Sequence, residues 1–425
     1  MQTYIVDLFI LRQRGTSGSM IYFDHCASTP PHEEVIRTLS EVMLLHYANP
    51  SSLHRSGMES RKLLQRSRGL IGELFHTDAK EWVFTSGGTE SNNLAIVGAA
   101  RRSNARGKHV ITSAIEHPSV YDACKKLERE GFRITYLPVN RAGFVSLSDV
   151  ESALTEETSL VSIMHVNNEV GAIQPIEAIG SLLKEKRNVY FHVDGVQSVG
   201  KLPVRLRDWG VDLFTASAHK VRGPRGVGLL YVRDGVQLEP LMAGGGQEDG
   251  LRPGTENVAA IVAAAKAFRI AMGGQKERLM RMNGLRDRLV RCVGEIPELV
   301  LNGLGLASSV AEMPEADGAS KGGGILQEMA PHIVNFSYPG MKPEVFVHML
   351  EKHRILASTK SACSSKDDKP SRVLQAMGLS HAQAASGIRI SFGDEHGDVE
   401  LEWLCQMLPL VVSKLKPLER KGQRE

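Results

Sequence analysis

Residues 190–201, YFHVDGVQSVGK, and residues 215–228, TASAHKVRGPRGVG, place one acid and one amine in corresponding positions. The apolar run Val189 to Val193 reads as a buried strand that ends at Asp194. A second run, Val211-Asp212-Leu213-Phe214, leads through a short Ser-Ala-His loop to Lys220. Both side chains then fall at the carboxyl ends of neighbouring strands, where open α/β sheets bind ligands. An amine at such a place can hold an aldehyde covalently, and a carboxylate beside a pyridine nitrogen keeps that nitrogen protonated. Taken singly, Asp194 reads as well as a turn cap, and Lys220 as a solvated loop lysine.

A third element shifts the balance. Thr85-Ser86-Gly87-Gly88-Thr89-Glu90 follows the apolar Trp82-Val83-Phe84 and opens a helix whose apolar face runs through Leu94, Val97 and Gly98. Glycines let the backbone approach an anion, and the free amides and dipole of a helix start favour negative charge. The stretch lacks the spaced glycines of a dinucleotide fingerprint and the lysine of a P-loop, so it suits a small phosphorylated cofactor. Aldehyde-binding amine, ring-nitrogen acid and phosphate cradle together describe a site for pyridoxal 5'-phosphate. His117 stands at a strand-to-helix junction, where its imidazole can stack on the cofactor ring or serve only as a cap. Asn168 ends the apolar strand Leu160 to Val166 and can donate to the phenolic oxygen of the cofactor, or is simply a turn asparagine.

The segments FDHCASTP, YANPSSLHRSG, VFTSGGTESNNLAI, AIEHPSVYDAC, SIMHVNNEVGAIQP, HVDGVQSVGKLPV, SAHKVRGPRGVGLLY, GGGQEDGLRPGTEN, STKSACSS and SGIRISFG span most of the chain from Ile21 to Gly393. Together they resemble the cysteine desulfurases of the NifS and IscS type, class-V aminotransferase relatives with the fold type I architecture of pyridoxal phosphate enzymes. The resemblance implies that Lys220 carries the cofactor, Asp194 meets its ring nitrogen and His117 stacks on it. Gly88, Thr89, Ser217 and His219 become contacts of the phosphate or its loop, while Asn168 and Gln197 reach the ring oxygen. Thr255 is expected to reach the phosphate of a second subunit, which implies a homodimer. Asn49 and Arg389 match positions that hold the substrate carboxylate, and no metal is expected.

Cys363 decides which reaction the resemblance implies. It lies in the polar stretch Ser361 to Pro370, which reads as an exposed loop of about residues 357–370. A thiol needs exposure and positive surroundings to attack sulfur as a thiolate. Lys360, Lys366 and Lys369 supply that field, partly offset by Asp367 and Asp368. Cys124, Cys292 and Cys405 sit in helical apolar patterns and read as buried, inert thiols. The step from Cys363 to Pro370 resembles the longer-looped members of the family, which commonly serve several sulfur acceptors. The expected reaction converts L-cysteine to L-alanine and leaves a persulfide on Cys363, with Lys220, and His117 beside it, moving the Cα proton. An aminotransferase or racemase of the same fold, or a silent scaffold for sulfur-transfer partners, are the competing readings. The acceptor is either an iron–sulfur scaffold or a tRNA-thiolating enzyme, and IEHPSVYDACKKLEREGF and SACSSKDDKPSRVLQAMG resemble the versions associated with tRNA thiolation.

With 425 residues the chain can bury a large core, and its net charge of +3 gives no pull toward nucleic acid. Five irregularly spaced cysteines argue against a disulfide framework and for a reducing compartment, so a cytoplasmic location is expected. No apolar run reaches the roughly 18 residues of a membrane span. Residues 1–20 read as a disordered extension or an upstream translation start. Residues 35–275 alternate strand and helix signals and imply a large α/β domain with a mostly parallel sheet. Residues 21–34 and 276–425 are assigned to a smaller α+β domain, with a polar helix near Lys276 to Leu289 and a charged tail from Lys414. His25 and Cys26 replace the asparagine and the alanine or serine usual in the family, and Lys360 replaces a glycine.

Overall fold

The computed structural model describes residues 19–103, 107–186, 188–303, 329–359 and 369–422, with side chains through residue 417. Its strands are β1 Ile21–Tyr22, β2 Trp82–Thr85, β3 His109–Ser113, β4 Arg133–Leu137, β5 Thr158–Met164, β6 Tyr190–Asp194, β7 Leu213–Ser217, β8 Gly228–Val232, β9 Val300–Leu301, β10 Ile333–Ser337, β11 Ile355–Leu356 and β12 Gly387–Ser391. Seven of them form one sheet in the order β2-β8-β7-β6-β5-β3-β4. β8 runs antiparallel to both its neighbours, and every other pairing in the sheet is parallel.

Burial of the sheet on both faces explains why its strands read as continuous apolar runs. Successive side chains alternate between two cores. Trp82, Phe84, Ile111, Val161, Phe214 and Leu229 join one cluster. Their strand neighbours Val83, Val110, Leu160, Leu213 and Leu230 join the other. The first is covered by helices Glu33–Leu45, Arg55–Phe75 and Val258–Met272, and the second by Gly88–Arg102 and Pro118–Arg129.

A third core gathers around the antiparallel strands β12-β10-β9 and helices Gln275–Gly294, Pro343–Lys352 and Asp398–Gly422. Phe23 belongs to it, and Ile21 pairs with Ile355. The segment expected as a charged tail from Lys414 instead continues the helix Asp398–Gly422, past Pro409 and Pro417. Leu401, Leu404, Leu408, Val411 and Leu415 recur at helical spacing and are buried, so packing overrides the proline penalty. Cys292 and Cys405 are half-buried rather than enclosed, and the Cys292 thiol donates to the Cys405 carbonyl at 3.7 Å. Cys124 is buried, as expected. Among the described residues, no single helix is long and apolar enough to cross a membrane.

Candidate active site

β6 and β7 are parallel neighbours, so Asp194, the last residue of β6, and Ser217, the last of β7, leave the sheet at the same edge. A single 3₁₀ turn, Ala218–Lys220, then carries Lys220 back over that edge. β2 points the same way as β7, because both are antiparallel to β8. Its end therefore delivers Ser86 to Gly88 and the start of helix Gly88–Arg102 to the same place. A Cβ on Gly228 would lie 2.5 Å from the Gly87 carbonyl carbon, so β8 passes behind this turn only because it begins with glycine.

These elements enclose a cavity of about 140 Å³ lined by Gly88, Thr89, His117, Asn168, Asp194, Gln197, Ser217, His219, Lys220 and Arg389. A shallower hollow of about 370 Å³ shares Gly88, Thr89, Ser217 and His219 and adds Arg225. The Lys220 amine donates to the carbonyls of Cys26 and Ala27, the latter at 2.8 Å. Burial pushes this amine down to about 8, with Arg389 and Lys201 acting in the same direction against Cys26 and Asp24. Asp194 Oδ1 accepts from the Val196 amide at 3.0 Å and Oδ2 from the Asn92 carboxamide at 2.8 Å. Burial pushes its carboxyl up, and these two donors oppose the shift. His117 caps helix Pro118–Arg129 and is held down to about 4 by burial and by the cationic Lys220 and Arg372. Arg389 is 1% exposed and donates to Asp24 Oδ1 and to the Asn168 carbonyl at 2.8 Å each, and its Nε has no partner among the described residues.

The model of the class-V aminotransferases matches residues 21–312. A cysteine desulfurase IscS of Clostridium botulinum is 38% identical over 402 residues, 94% of this chain and 96% of that protein. The chain belongs to the cysteine desulfurases. A solved NifS-like protein is 33% identical with a TM-score of 0.83 and covers 93% of this chain and all of its own. A structure described as SspA in complex with cysteine is 34% identical, with a TM-score of 0.72, over 87% of this chain and 98% of its own. Members of this family are pyridoxal phosphate enzymes.

The cavity fits that cofactor. Ser217 Oγ and Gln197 Oε1 are buried and lack hydrogen-bond partners among the described residues, and such atoms call for a polar occupant. The first-turn amides of helix Gly88–Arg102 have no helical acceptor, and Arg225 adds a cation beside them, as a phosphate requires. The amine and the buried carboxylate stand at the two strand ends behind this cradle.

Ten of the residues expected at the site are thus brought into one cavity. Asn49 is not among them: it is exposed on the turn before helix Arg55–Phe75, where its Oδ1 accepts from the Ser51 amide at 2.9 Å. Thr255 is exposed in a separate hollow with Phe84, Glu248 and Ile261. Cys363 lies outside the described residues. The sequence reading missed Asn92, Ser119 and Arg225. Arg225 had a signal, a cation between two glycines just after Lys220, whereas Asn92 and Ser119 are ordinary polar residues near helix starts. It also missed how the departures are housed. A Cβ on Gly393 would come within 2.0 Å of the His25 ring, so this glycine makes room for the larger side chain. His25 Nε2 lies 2.8 Å from Glu395 Oε1, and His396 stands beside them. The Gly393 amide donates to His396 Nδ1 at 2.7 Å, which puts the proton of the neutral ring on Nε2 and leaves no lone pair there for an ion.

Proposed function

We propose that this chain removes sulfur from L-cysteine as a pyridoxal phosphate enzyme, releasing L-alanine and leaving a persulfide on Cys363. The observation that carries this reading is the convergence of Lys220, Asp194, the Gly88-Thr89 turn and Arg389 on one small cavity. When bound, the cofactor supplies an electron sink for charge developing at the substrate Cα. Gly88, Thr89, Ser217 and His219 hold its phosphate, Asp194 its ring nitrogen, and Asn168 and Gln197 its ring oxygen. Arg389, braced by Asp24, presents a fixed cation to the substrate carboxylate. Lys220, with its lowered proton affinity, takes the proton from Cα. The Cys363 thiolate then bonds to the substrate sulfur as the carbon–sulfur bond breaks, and the carbon fragment leaves as alanine once protonated.

Two described neighbours support a role for Cys363 here. Ser358, shortly before it, exchanges backbone hydrogen bonds with Arg389. Arg372, shortly after it, donates to the carbonyls of Ala114 and Glu116 beside His117 and lies 4.0 Å over the Tyr121 ring. Both ends of the segment that contains Cys363 are therefore anchored next to the cavity.

The reading extends to a homodimer. Met43, Leu44, Leu45, Tyr47 and Leu53 are between 62% and 86% exposed in the single chain, an apolar patch that a second copy would cover. Thr255, exposed and away from its own Lys220, is assigned to the partner's phosphate site. The sulfur passes to a protein acceptor in the cytoplasm, and tRNA thiolation is taken as its destination ahead of iron–sulfur assembly on the sequence likeness given above. Borohydride reduction of the holoenzyme tests the core of the proposal: it should fix the cofactor to Lys220, and a label on another lysine refutes it. Capture of partners on enzyme carrying labelled persulfide tests the acceptor, and an iron–sulfur scaffold in place of a tRNA-modifying enzyme would overturn that choice.

A further inference from the structure

A single chain of hydrogen bonds joins Asp194 to His117. Asn92 Nδ2 donates to Asp194 Oδ2 at 2.8 Å and to Ser119 Oγ at 2.9 Å. Ser119 Oγ in turn lies 2.8 Å from His117 Nδ1. The Ser119 backbone amide also points at that nitrogen, at 3.2 Å.

The protons along this chain can be placed by elimination. An ionised carboxylate only accepts, so Asn92 must turn its NH₂ toward Asp194. The cost is visible at the other end of the amide, where Asn92 Oδ1 is buried with no partner among the described residues. His117 Nδ1 faces a backbone N–H and must therefore offer a lone pair. Ser119 Oγ lies 2.8 Å from this unprotonated nitrogen, so the hydroxyl turns its own proton to the same lone pair while its oxygen accepts from Asn92. A neutral imidazole has one proton, and it is left with Nε2, on the edge of the ring away from Ser119.

We propose that Asn92 and Ser119 are positioning residues that tie the orientation of Asp194 to the tautomer of His117, so that His117 presents an Nε2–H donor and not a base to the cavity. This rests on the reading of the cavity given above and deepens it. His117 then cannot share the abstraction of the Cα proton, and Lys220 does so alone. His117 instead donates a hydrogen bond, or a proton, to a group in the cavity that gains negative charge. The ring stays neutral at ordinary pH, since burial and Lys220 hold it down to about 4.

The test is nitrogen NMR of cofactor-free enzyme labelled with ¹⁵N-histidine, with the His117 signal assigned by its loss in His117→Gln. The parent should show a protonated Nε2 and a bare Nδ1 between pH 6 and 9. Ser119→Ala should move the tautomer ratio toward Nδ1–H by about tenfold, the scale of one hydrogen bond. Asn92→Ala should move it the same way, because the hydroxyl is then free to turn from the ring, and Ser119→Thr should restore the parent pattern. Unmoved signals from the other histidines show that each variant is folded. A dominant Nδ1–H form or a charged ring in the parent overturns the proposal, as does a ratio unchanged in both alanine variants. The measurement needs no turnover. A failure to trap cofactor on Lys220 would sink the functional reading while leaving this result to stand or fall separately.

Discussion

Lys220 should behave as an amine with a midpoint near pH 8, and the consequence is large enough to measure directly. Its side chain is enclosed at the sheet edge, and burial is the leading cause of its lowered proton affinity, with the cations Arg389 and Lys201 acting in the same direction. An amine with a midpoint of about 8 is roughly 9% neutral at pH 7, against about 0.04% for an ordinary lysine near 10.4, an advantage of roughly 200-fold in reactive form. The direction follows from the charge: a depressed lysine loses its proton as pH rises through 8, so reactivity toward an aldehyde climbs to that point and then levels. Between pH 7 and 9 the rate of cofactor capture by cofactor-free enzyme should rise about tenfold and flatten, whereas an unperturbed lysine would rise about 100-fold and keep climbing. The assay is stopped-flow absorbance of cofactor addition, with borohydride trapping and peptide mapping to show that Lys220 is the residue modified. Lys201→Met supplies a second perturbation. Lys201 is buried and donates to the Lys220 carbonyl at 3.1 Å, and removing its charge should shift the midpoint upward by less than burial shifts it down. A rate at Lys220 that rises without a plateau to pH 10 would refute the claim that enclosure tunes this amine.

Asp194→Asn should leave the sheet edge intact but lower turnover by roughly 10²–10³, the scale of losing one preorganised charge at a reacting centre; steady-state kinetics at saturating cofactor would show it, and near-parental turnover would contradict it. Gly393→Ala should lower stability by about 1–3 kcal/mol through overpacking against His25, read from the urea midpoint, and His25→Asn in the same chain should recover part of the loss. Cys363→Ser should bind cofactor as the parent does and still perturb its absorbance with L-cysteine, yet form almost no alanine. Solution scattering should give the mass of a dimer, and Thr255→Ala should weaken cofactor affinity without splitting that dimer; a monomer with full affinity would exclude the shared phosphate site.

Much of the site could be read from the sequence because the chemistry falls where apolar runs stop. Asp194 closes one buried strand and Lys220 lies three residues beyond the end of the next, too short a turn to carry it away, so both had to stand at the sheet edge. The phosphate turn was legible for the same reason, with glycines directly between Phe84 and a helix. Strand direction was not: β8 reads as apolar as its neighbours, and alternation carries no sign to show that it runs antiparallel between β2 and β7. Asn92 and Ser119 stayed hidden because a polar residue in the first turns of a helix is ordinary, and only the fold brings them between Asp194 and His117. The end of the helix Asp398–Gly422 was lost because the residues from Lys414 are mostly charged, while the buried stripe that holds the helix, Leu401 to Leu415, lies almost wholly before them. Asn49 and Thr255 came from resemblance alone, and neither lies at the cavity of its own chain.

The central claim is that sulfur leaves L-cysteine for Cys363 at a site built around Lys220. Its most direct test is to mix holoenzyme with one equivalent of L-cysteine, quench with an alkylating reagent, measure alanine and map the added sulfur by mass spectrometry. The expected result is one alanine formed for each active site, with the extra sulfur on the peptide that carries Cys363. Alanine without sulfur on that peptide, sulfur on Cys26, Cys124, Cys292 or Cys405 instead, or pyruvate in place of alanine would contradict it.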